Sequence, residues 1–191
     1  MLPLAPVFPL TYATGHRGFT IVELMVTIAV LGVLAALALP SFTPLIERWR
    51  VHLPTEELKN AMYYARSEAM KRGGRVVIQK LASNTSGCTA SGTDNWNCGW
   101  YICVDSNDNG ACTTSEPLLQ RYEAPASVEI TRSTGGASIA FNRWGLVAGK
   151  YPGFSIIPRG KNTSNPAALG VCMSSAGRVR IIPSQEIPCN G

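Results

Sequence analysis

The sequence predicts an α+β protein, in which a long N-terminal transmembrane α-helix is followed by an antiparallel β-sandwich head stapled by disulfides. Three features of the 191-residue chain lead to this prediction. An uncharged apolar run occupies residues 24–39, short β-rich runs replace the helical period beyond residue 75, and all six cysteines follow residue 87. This length fits one compact domain with a separate segment.

The apolar run is long enough to cross a bilayer. Extended back to Phe19, it covers roughly 30 Å as a helix, which matches the hydrocarbon core of a membrane. Arg17 precedes it, so the positive-inside tendency favours a cytoplasmic N-terminus and a periplasmic C-terminal domain. The alternative is an ordinary secretory signal cut after Ala38, but Glu23 at the start of the run argues against it.

Beyond the membrane run, apolar residues at helical spacing predict that the helix continues over residues 41–73. These residues are Leu58, Ala61, Met62, Ala65 and Ala69. Pro54 predicts a kink or a division within the helix. Gly73 and Gly74 predict its C-terminal end, because glycine adopts the left-handed conformation that stops a helix.

The remaining residues, 74–191, contain eight short β-rich runs between turn residues. The runs cover residues 75–80, 99–105, 117–122, 128–132, 138–141, 154–158, 168–173 and 179–182. Regular spacing of this kind is typical of an antiparallel sandwich.

The cysteines indicate disulfides in an oxidising compartment, because their number is even and all lie beyond the membrane run. Six cysteines allow fifteen pairings, and the sequence leaves the choice open. Proximity favours Cys88 with Cys98, Cys103 with Cys112, and Cys172 with Cys189.

The hexapeptide Gly18-Phe19-Thr20-Ile21-Val22-Glu23 resembles the processing site of type IV prepilins and type II secretion pseudopilins. The resemblance implies that residues 1–18 are a leader, that prepilin peptidase cuts between Gly18 and Phe19, and that Phe19 is then N-methylated. Residues 19–40 would stay as the membrane anchor. An ionised carboxylate near a membrane helix end needs a partner. In this class of protein, that partner is the amine of a neighbouring subunit, which gives Glu23 a role in assembly.

The predicted head resembles the GspH/FimT group of minor pilins and pseudopilins. The similar motifs are Cys98-Gly99-Trp100-Tyr101, Phe141-Asn142-Arg143-Trp144-Gly145 and Gly177-Arg178-Val179-Arg180. The resemblance implies a bacterial inner-membrane protein that enters a type IV pilus, with a type II secretion pseudopilus as the alternative. Its partners would be other pilins, prepilin peptidase and the inner-membrane assembly platform.

Positive charge is concentrated near the C-terminus and raises the question of DNA binding. The chain carries a net charge of +5, and residues 143–191 hold six basic residues and one acid. Strand alternation predicts that Arg178 and Arg180 share one face, where two guanidinium groups suit phosphate contacts. The GRxR segment also resembles the DNA-binding element of FimT-type pilins, which implies double-stranded DNA as a partner, with help from Lys161 and Arg159. The alternative is a turn with solvated arginines.

Residues 105–116 match the calcium-loop pattern D-x-[DN]-x-[DN]-G-x5-E. Side-chain ligands would come from Asp105, Asn107, Asn109 and Glu116. The flanking sequence predicts strands where an EF-hand needs helices, and the same residues suit a hairpin connection without metal. The sequence therefore predicts no cofactor, with calcium as the alternative.

The sequence gives no support to an enzyme. His16 and His52 are the two histidines, and neither lies in the predicted β domain. A Ser/His/Asp triad or a His-based metal site therefore cannot be built there. Trp96, Trp100 and Trp144 are predicted to pack in the core or at the sandwich edge.

Overall fold

A computed structural model of the chain describes residues 18–147 and 149–189. The chain forms two compact units, one that ends at Phe42 and one over Thr43–Gly191. Apart from Gly18, the predicted leader lies outside the described residues.

Helix α1 covers Ile21–Arg72. Thr20 caps its start, because the Thr20 hydroxyl accepts a hydrogen bond from the Glu23 backbone N–H at 3.2 Å. The helix ends as predicted: Gly73 has a φ of +76°, and the Gly74 N–H donates to the Ala69 carbonyl at 2.7 Å. No single described helix is long and apolar enough to cross a membrane. Ile21–Leu37 and Phe42–Arg72 together meet that requirement by length and composition.

The second half of α1 buries the predicted apolar face. Leu58, Ala61, Met62, Ala65 and Ala69 are all fully buried. The helix is not divided at Pro54. Proline removes one backbone N–H from this turn, and the buried Thr55 hydroxyl donates to the Val51 carbonyl there at 2.6 Å.

Eight strands follow, each within one residue of the predicted run. They are β1 (Val76–Lys80), β2 (Trp100–Val104), β3 (Leu118–Tyr122), β4 (Val128–Arg132), β5 (Ser138–Phe141), β6 (Gly153–Pro158), β7 (Leu169–Met173) and β8 (Val179–Pro183). Their pairing is antiparallel throughout and forms two four-stranded sheets, in the orders β3-β2-β1-β5 and β4-β6-β7-β8.

One core joins the two sheets to the buried face of α1. Trp96 and Trp100 are fully buried in it, as predicted. The Trp96 ring meets Phe154 edge to face, with a centroid distance of 5.0 Å. Trp100 stacks on Tyr122 at 5.6 Å. Such aromatic pairs stabilise the fold beyond the burial of their apolar area, so both contacts strengthen the core.

Three disulfides staple the head, as predicted. They join Cys88 to Cys98, Cys103 to Cys112, and Cys172 to Cys189, which are the pairs that sequence proximity favours. The first two hold loops on the first sheet, and the third ties β7 to the chain after β8.

Candidate functional site

The N-terminal segment holds the predicted processing residues. Gly18, Phe19 and Thr20 precede the first turn of α1, and Gly18 and Phe19 are exposed. Glu23 lies in that first turn, where a carboxylate suits the positive end of the helix dipole. The spacing of Thr20 and Glu23 is that of a capping box, a local signal that the sequence reasoning missed.

Large apolar side chains are exposed along α1. In the first unit they include Ile21, Leu24, Leu31 and Leu37. In the second unit, the exposed side chains include Leu45, Ile46, Trp49 and Leu53 at helical spacing, and Trp49 is 60% exposed. In each unit, exposed apolar side chains of this kind are typical of a surface that another helix or a membrane covers.

The predicted arginine pair lies where β7 turns into β8. The Ser174 N–H donates to the Arg178 carbonyl at 2.9 Å, and the Gly177 N–H donates to the Ser174 carbonyl at 2.9 Å, closing a tight turn. Arg178 and Arg180 are both exposed, and Val179 between them is buried. The two guanidinium groups therefore point away from the core.

Helix α1 holds this turn in place. The Arg66 guanidinium donates to the Gly177 carbonyl, and the Tyr63 hydroxyl donates to the Val179 carbonyl at 3.1 Å. Gly177 has a φ of +76°, and a Cβ there would overlap the Arg66 guanidinium. Sequence reasoning missed Tyr63 and Arg66, because no local pattern relates them to a turn more than a hundred residues away.

The other two predicted basic residues lie at the opposite end of the same sheet. Arg159 and Lys161 come directly after β6. Because β6 and β7 are antiparallel, the end of β6 lies beside the start of β7. The arginine turn follows the last residue of β7. Because a strand of five residues is about 17 Å long, the structure does not bring these residues together with Arg178 and Arg180. The Arg159 guanidinium instead donates to the Ala126 carbonyl at 2.9 Å.

The candidate calcium loop is closed by its own backbone. Asp105 is 2% exposed, and its carboxylate accepts the N–H groups of Asn109 and Gly110 at 3.1 and 2.8 Å. The Asn107 and Asn109 side-chain oxygens each accept one backbone N–H. These are the hydrogen bonds of a hairpin connection.

Glu116 closes the other end of this loop. Its carboxylate accepts the N–H groups of Thr113 and Ser106 at 2.7 and 2.8 Å. The hydrogen bond from Thr113 is the main reason that the pKa of Glu116 lies below its usual value. Within residues 18–147 and 149–189, no three His, Cys, Asp or Glu side chains are grouped to hold a metal ion.

Trp144 departs from its prediction. It is 69% exposed, at the tip of a tight turn in which the Asn142 side-chain oxygen accepts the N–H groups of Trp144 and Leu146 at 2.9 and 3.0 Å. The prediction of core or edge packing was wrong here, because the turn directs the indole away from both sheets.

An apolar helix that begins beside a sequence resembling the pilin processing site, followed by a disulfide-stapled β head, is the architecture of a pilin-type filament subunit. Residues 55–184 match the family described as Type II transport protein GspH, and residues 14–39 match the prokaryotic N-terminal methylation motif. The chain belongs to the GspH family. This family consists of structural subunits and not of enzymes.

The chain is also similar to known proteins and to solved structures. Two fimbrial proteins of Pseudomonas aeruginosa are 32% identical over 71 residues, which cover 37% of this chain and 46% of theirs. The chain therefore spans about half the length of these relatives.

A crystal structure of the type IV minor pilin FimU from the same organism has a TM-score of 0.54 at 22% identity, covering 73% of this chain and 92% of FimU. The minor pseudopilin EpsH of Vibrio cholerae has a TM-score of 0.48 at 10% identity, covering 70% of this chain and 97% of EpsH. At this identity, the likeness to FimU is one of fold.

Proposed function

We propose that the protein is a minor type IV pilin, held in the bacterial inner membrane with its head in the periplasm and then built into the pilus, where it helps to initiate or cap the filament. The observation that carries this proposal is the exposed apolar surface of α1. In the second unit, Leu45, Trp49 and Leu53 lie beyond the predicted membrane segment and are exposed, so they need a cover outside the bilayer. The helices of neighbouring subunits provide one.

Glu23 gives this assembly its register. Prepilin peptidase cuts after Gly18, the new amine of Phe19 is methylated, and the assembly platform then receives the mature subunit. The Glu23 carboxylate pairs with the positive amine of a neighbouring subunit. A charge in apolar surroundings is costly without a partner, so only the aligned arrangement of helices satisfies it.

Mass spectrometry of sheared filaments tests the proposal in cells that produce the protein. The mature chain is expected to begin with methylated Phe19. The Glu23→Ala variant should remain in the membrane and disappear from filaments. Glu57→Ala is the matched control, since it removes another exposed helical carboxylate, and it should enter filaments normally. A chain that begins at Leu39, or Glu23→Ala in filaments at the wild-type level, would contradict the proposal.

The alternative is a type II secretion pseudopilin of the H type. The two functions separate in a strain that lacks the protein. Loss of surface pili with normal protein export supports the pilin, and loss of export with normal pili supports the pseudopilin.

A second candidate function is the capture of double-stranded DNA through Arg178 and Arg180. The observation that favours it is the exposed, helix-held turn that carries both arginines. Neither arginine lies within 4 Å of a carboxylate oxygen in the part of the chain that the structure describes. Both charges are therefore available to phosphates.

The test is a titration of residues 43–191, with disulfides formed, into short duplexes at several salt concentrations. Removal of both arginines should lower the slope of log affinity against log salt by about two units, because each phosphate contact contributes about 0.9. Arg159→Ala plus Lys161→Ala is the matched control, and we expect it to keep the slope. No binding by the wild type at low salt would refute the DNA function and leave the filament function untouched.

A further inference from the structure

The arginine turn, a second turn at 142–145 and one face of α1 form a continuous surface. The helix contributes Tyr63, Arg66 and Met70, which share a face at a spacing of three and four residues. The turns at 142–145 and 174–178 meet at Arg66, because a Cβ at Gly145 or at Gly177 would lie 3.1 or 3.2 Å from the Arg66 Nε. We call this surface the Trp144 face.

The Trp144 face exposes aromatic and cationic groups together. Trp144, Met70 and Tyr63 are among the large apolar side chains left open to solvent. Arg143 precedes the exposed indole in sequence, and Arg178 lies on the neighbouring turn. Within the described residues, neither guanidinium lies within 4 Å of a carboxylate oxygen.

Nearby carboxylates do not neutralise these charges. Glu68, on the same helix, is taken up by Arg72 at 2.7 Å and by Lys71 at 3.6 Å. Asp108 lines the cleft that Arg143 borders, without forming an ion pair with it in the described structure. The face is therefore positively charged around a large exposed ring.

Hydrogen bonds fix the backbone of the turn that carries the indole. Two backbone N–H groups bind the Asn142 side chain, and the Gly145 N–H donates to the Asn142 carbonyl at 2.9 Å. Gly145 has a φ of +68° and packs on Arg66 and Met70. Because the backbone of the turn is already ordered, stacking of a flat partner on the ring does not have to order the loop as well.

We propose that the Trp144 face binds single-stranded nucleic acid, with an unpaired base stacked on Trp144 and the flanking phosphates on Arg143 and Arg178. Positive charge combined with an exposed aromatic ring is the chemistry that single strands use. In a duplex the base faces are already stacked on each other. A duplex can therefore contact the arginines through its phosphates, but the indole adds nothing to its affinity. This inference rests on the proposed DNA-binding function and adds a preference for unpaired bases.

The test compares three fluorescently labelled probes on residues 43–191, which form a compact unit with its own core and disulfides. The probes are a 12-nucleotide oligothymidine, a 12-base-pair duplex, and a 12-nucleotide strand of abasic sites that keeps the phosphates. Binding is followed by fluorescence anisotropy at low salt. The variants are Trp144→Ala, Trp144→Tyr, and the control Leu118→Ala, which removes another exposed apolar side chain, 57% exposed, on β3.

Wild type should bind oligothymidine more tightly than the abasic strand. Trp144→Ala should weaken binding of oligothymidine about tenfold or more, since stacking contributes that much per base. The same variant should change binding of the duplex and the abasic strand less than twofold. Trp144→Tyr should restore most of the oligothymidine affinity, and Leu118→Ala should keep all of it. Unchanged thermal unfolding would show that the variants fold.

Two results would overturn the inference in distinguishable ways. If the duplex binds and Trp144→Ala leaves oligothymidine binding unchanged, the base contact is absent and the proposed DNA function survives. If no probe binds wild type, both the inference and the proposed DNA function fail.

Discussion

Alanine in place of Gly177 should destabilise the head more than alanine at a glycine with the same φ and free space around its Cβ position. Gly177 has a φ of +76°, and its missing Cβ leaves room for the Arg66 guanidinium. Gly73 has the same φ of +76°, with nothing within 4 Å of the position of a Cβ. The pair therefore separates backbone strain from the contact with Arg66.

The expected magnitudes follow from these two environments. A left-handed conformation costs an alanine about 1 kcal/mol, and this applies to both variants. At Gly177 the new methyl also displaces the Arg66 guanidinium from the Gly177 carbonyl, a hydrogen bond with a charged donor. Because Arg66 is partly exposed, we take about 1.5 kcal/mol for that bond, the low end of its range. Gly177→Ala should cost about 2.5 kcal/mol in the free energy of unfolding, and Gly73→Ala about 1.

Urea and thermal unfolding of residues 43–191 with disulfides intact measure both costs. In a domain of this size, 1 kcal/mol shifts the Tm by about 2–4 °C, so Gly177→Ala should lower the Tm by about 5–10 °C. A double-mutant cycle isolates the contact: in an Arg66→Ala background, Gly177→Ala should cost only the strain of about 1 kcal/mol. Equal costs at the two glycines, or the same cost for Gly177→Ala in both backgrounds, would refute a stabilising contact between Arg66 and Gly177.

Three further predictions concern the loop and the disulfides. The pKa of Glu116 is lowered in the folded state, chiefly by the hydrogen bond from the Thr113 N–H. The ionised Glu116 therefore stabilises the fold above the ordinary pKa of 4.5, and this stabilisation is lost as the pH falls through the lowered pKa. Glu116→Gln should flatten the fall of Tm in acid, and an acid profile identical to that of the wild type would contradict this. Because the oxygens of Asp105 already bind backbone N–H groups, adding a chelator should leave the Tm unchanged; a drop that calcium reverses would instead establish the calcium loop. Replacing Cys172 and Cys189 by serine should lower the free energy of unfolding by about 3 kcal/mol in a urea titration, since the bridge closes a loop with a sequence separation of 17. The Cys103–Cys112 bridge has a separation of only 9, so its loss should cost less. An equal or greater cost for losing Cys103–Cys112 would contradict the loop-closure account.

Features that depend on local sequence were predictable. The buried face of α1 follows from helical spacing at Leu58, Met62 and Ala65, and the helix end follows from Gly73 and Gly74. The strands follow from short β-rich runs between turn residues, so their bounds differ from the prediction by no more than one residue. β1, for example, begins at Val76 because Arg75 has a φ of +59° and is not extended.

Features that depend on the order of the strands were not predictable. Arg159 and Arg180 both belong to the basic C-terminal quarter of the chain, which supported a common surface. The antiparallel order of β6, β7 and β8 places them at opposite ends of one sheet. Contacts across the core, such as Arg66 with Gly177, have no sequence signal, because the two residues meet only after the second sheet has packed on α1.

The contacts of buried Arg132 were also not predictable from the sequence. Only 6% exposed, it donates to the Gly136 and Ser138 carbonyls at 3.0 and 2.7 Å, and burial lowers its pKa. It joins β4 in one sheet to β5 in the other. A single arginine in a β-rich run reads as a surface residue, and only the packed structure shows that it ties the two sheets together.

The three bridges each join a cysteine to the next one along the chain, with separations of 10, 9 and 17. If the head enters an oxidising compartment starting from the residues that follow the membrane segment, the first, third and fifth cysteines therefore each find their native partner as the next thiol to arrive. Cys88 and Cys98 can close before Cys103 emerges, and Cys103 and Cys112 long before Cys172. The order of arrival alone selects one pairing out of fifteen, so this head can acquire its correct disulfides during export without waiting for its sheets to meet.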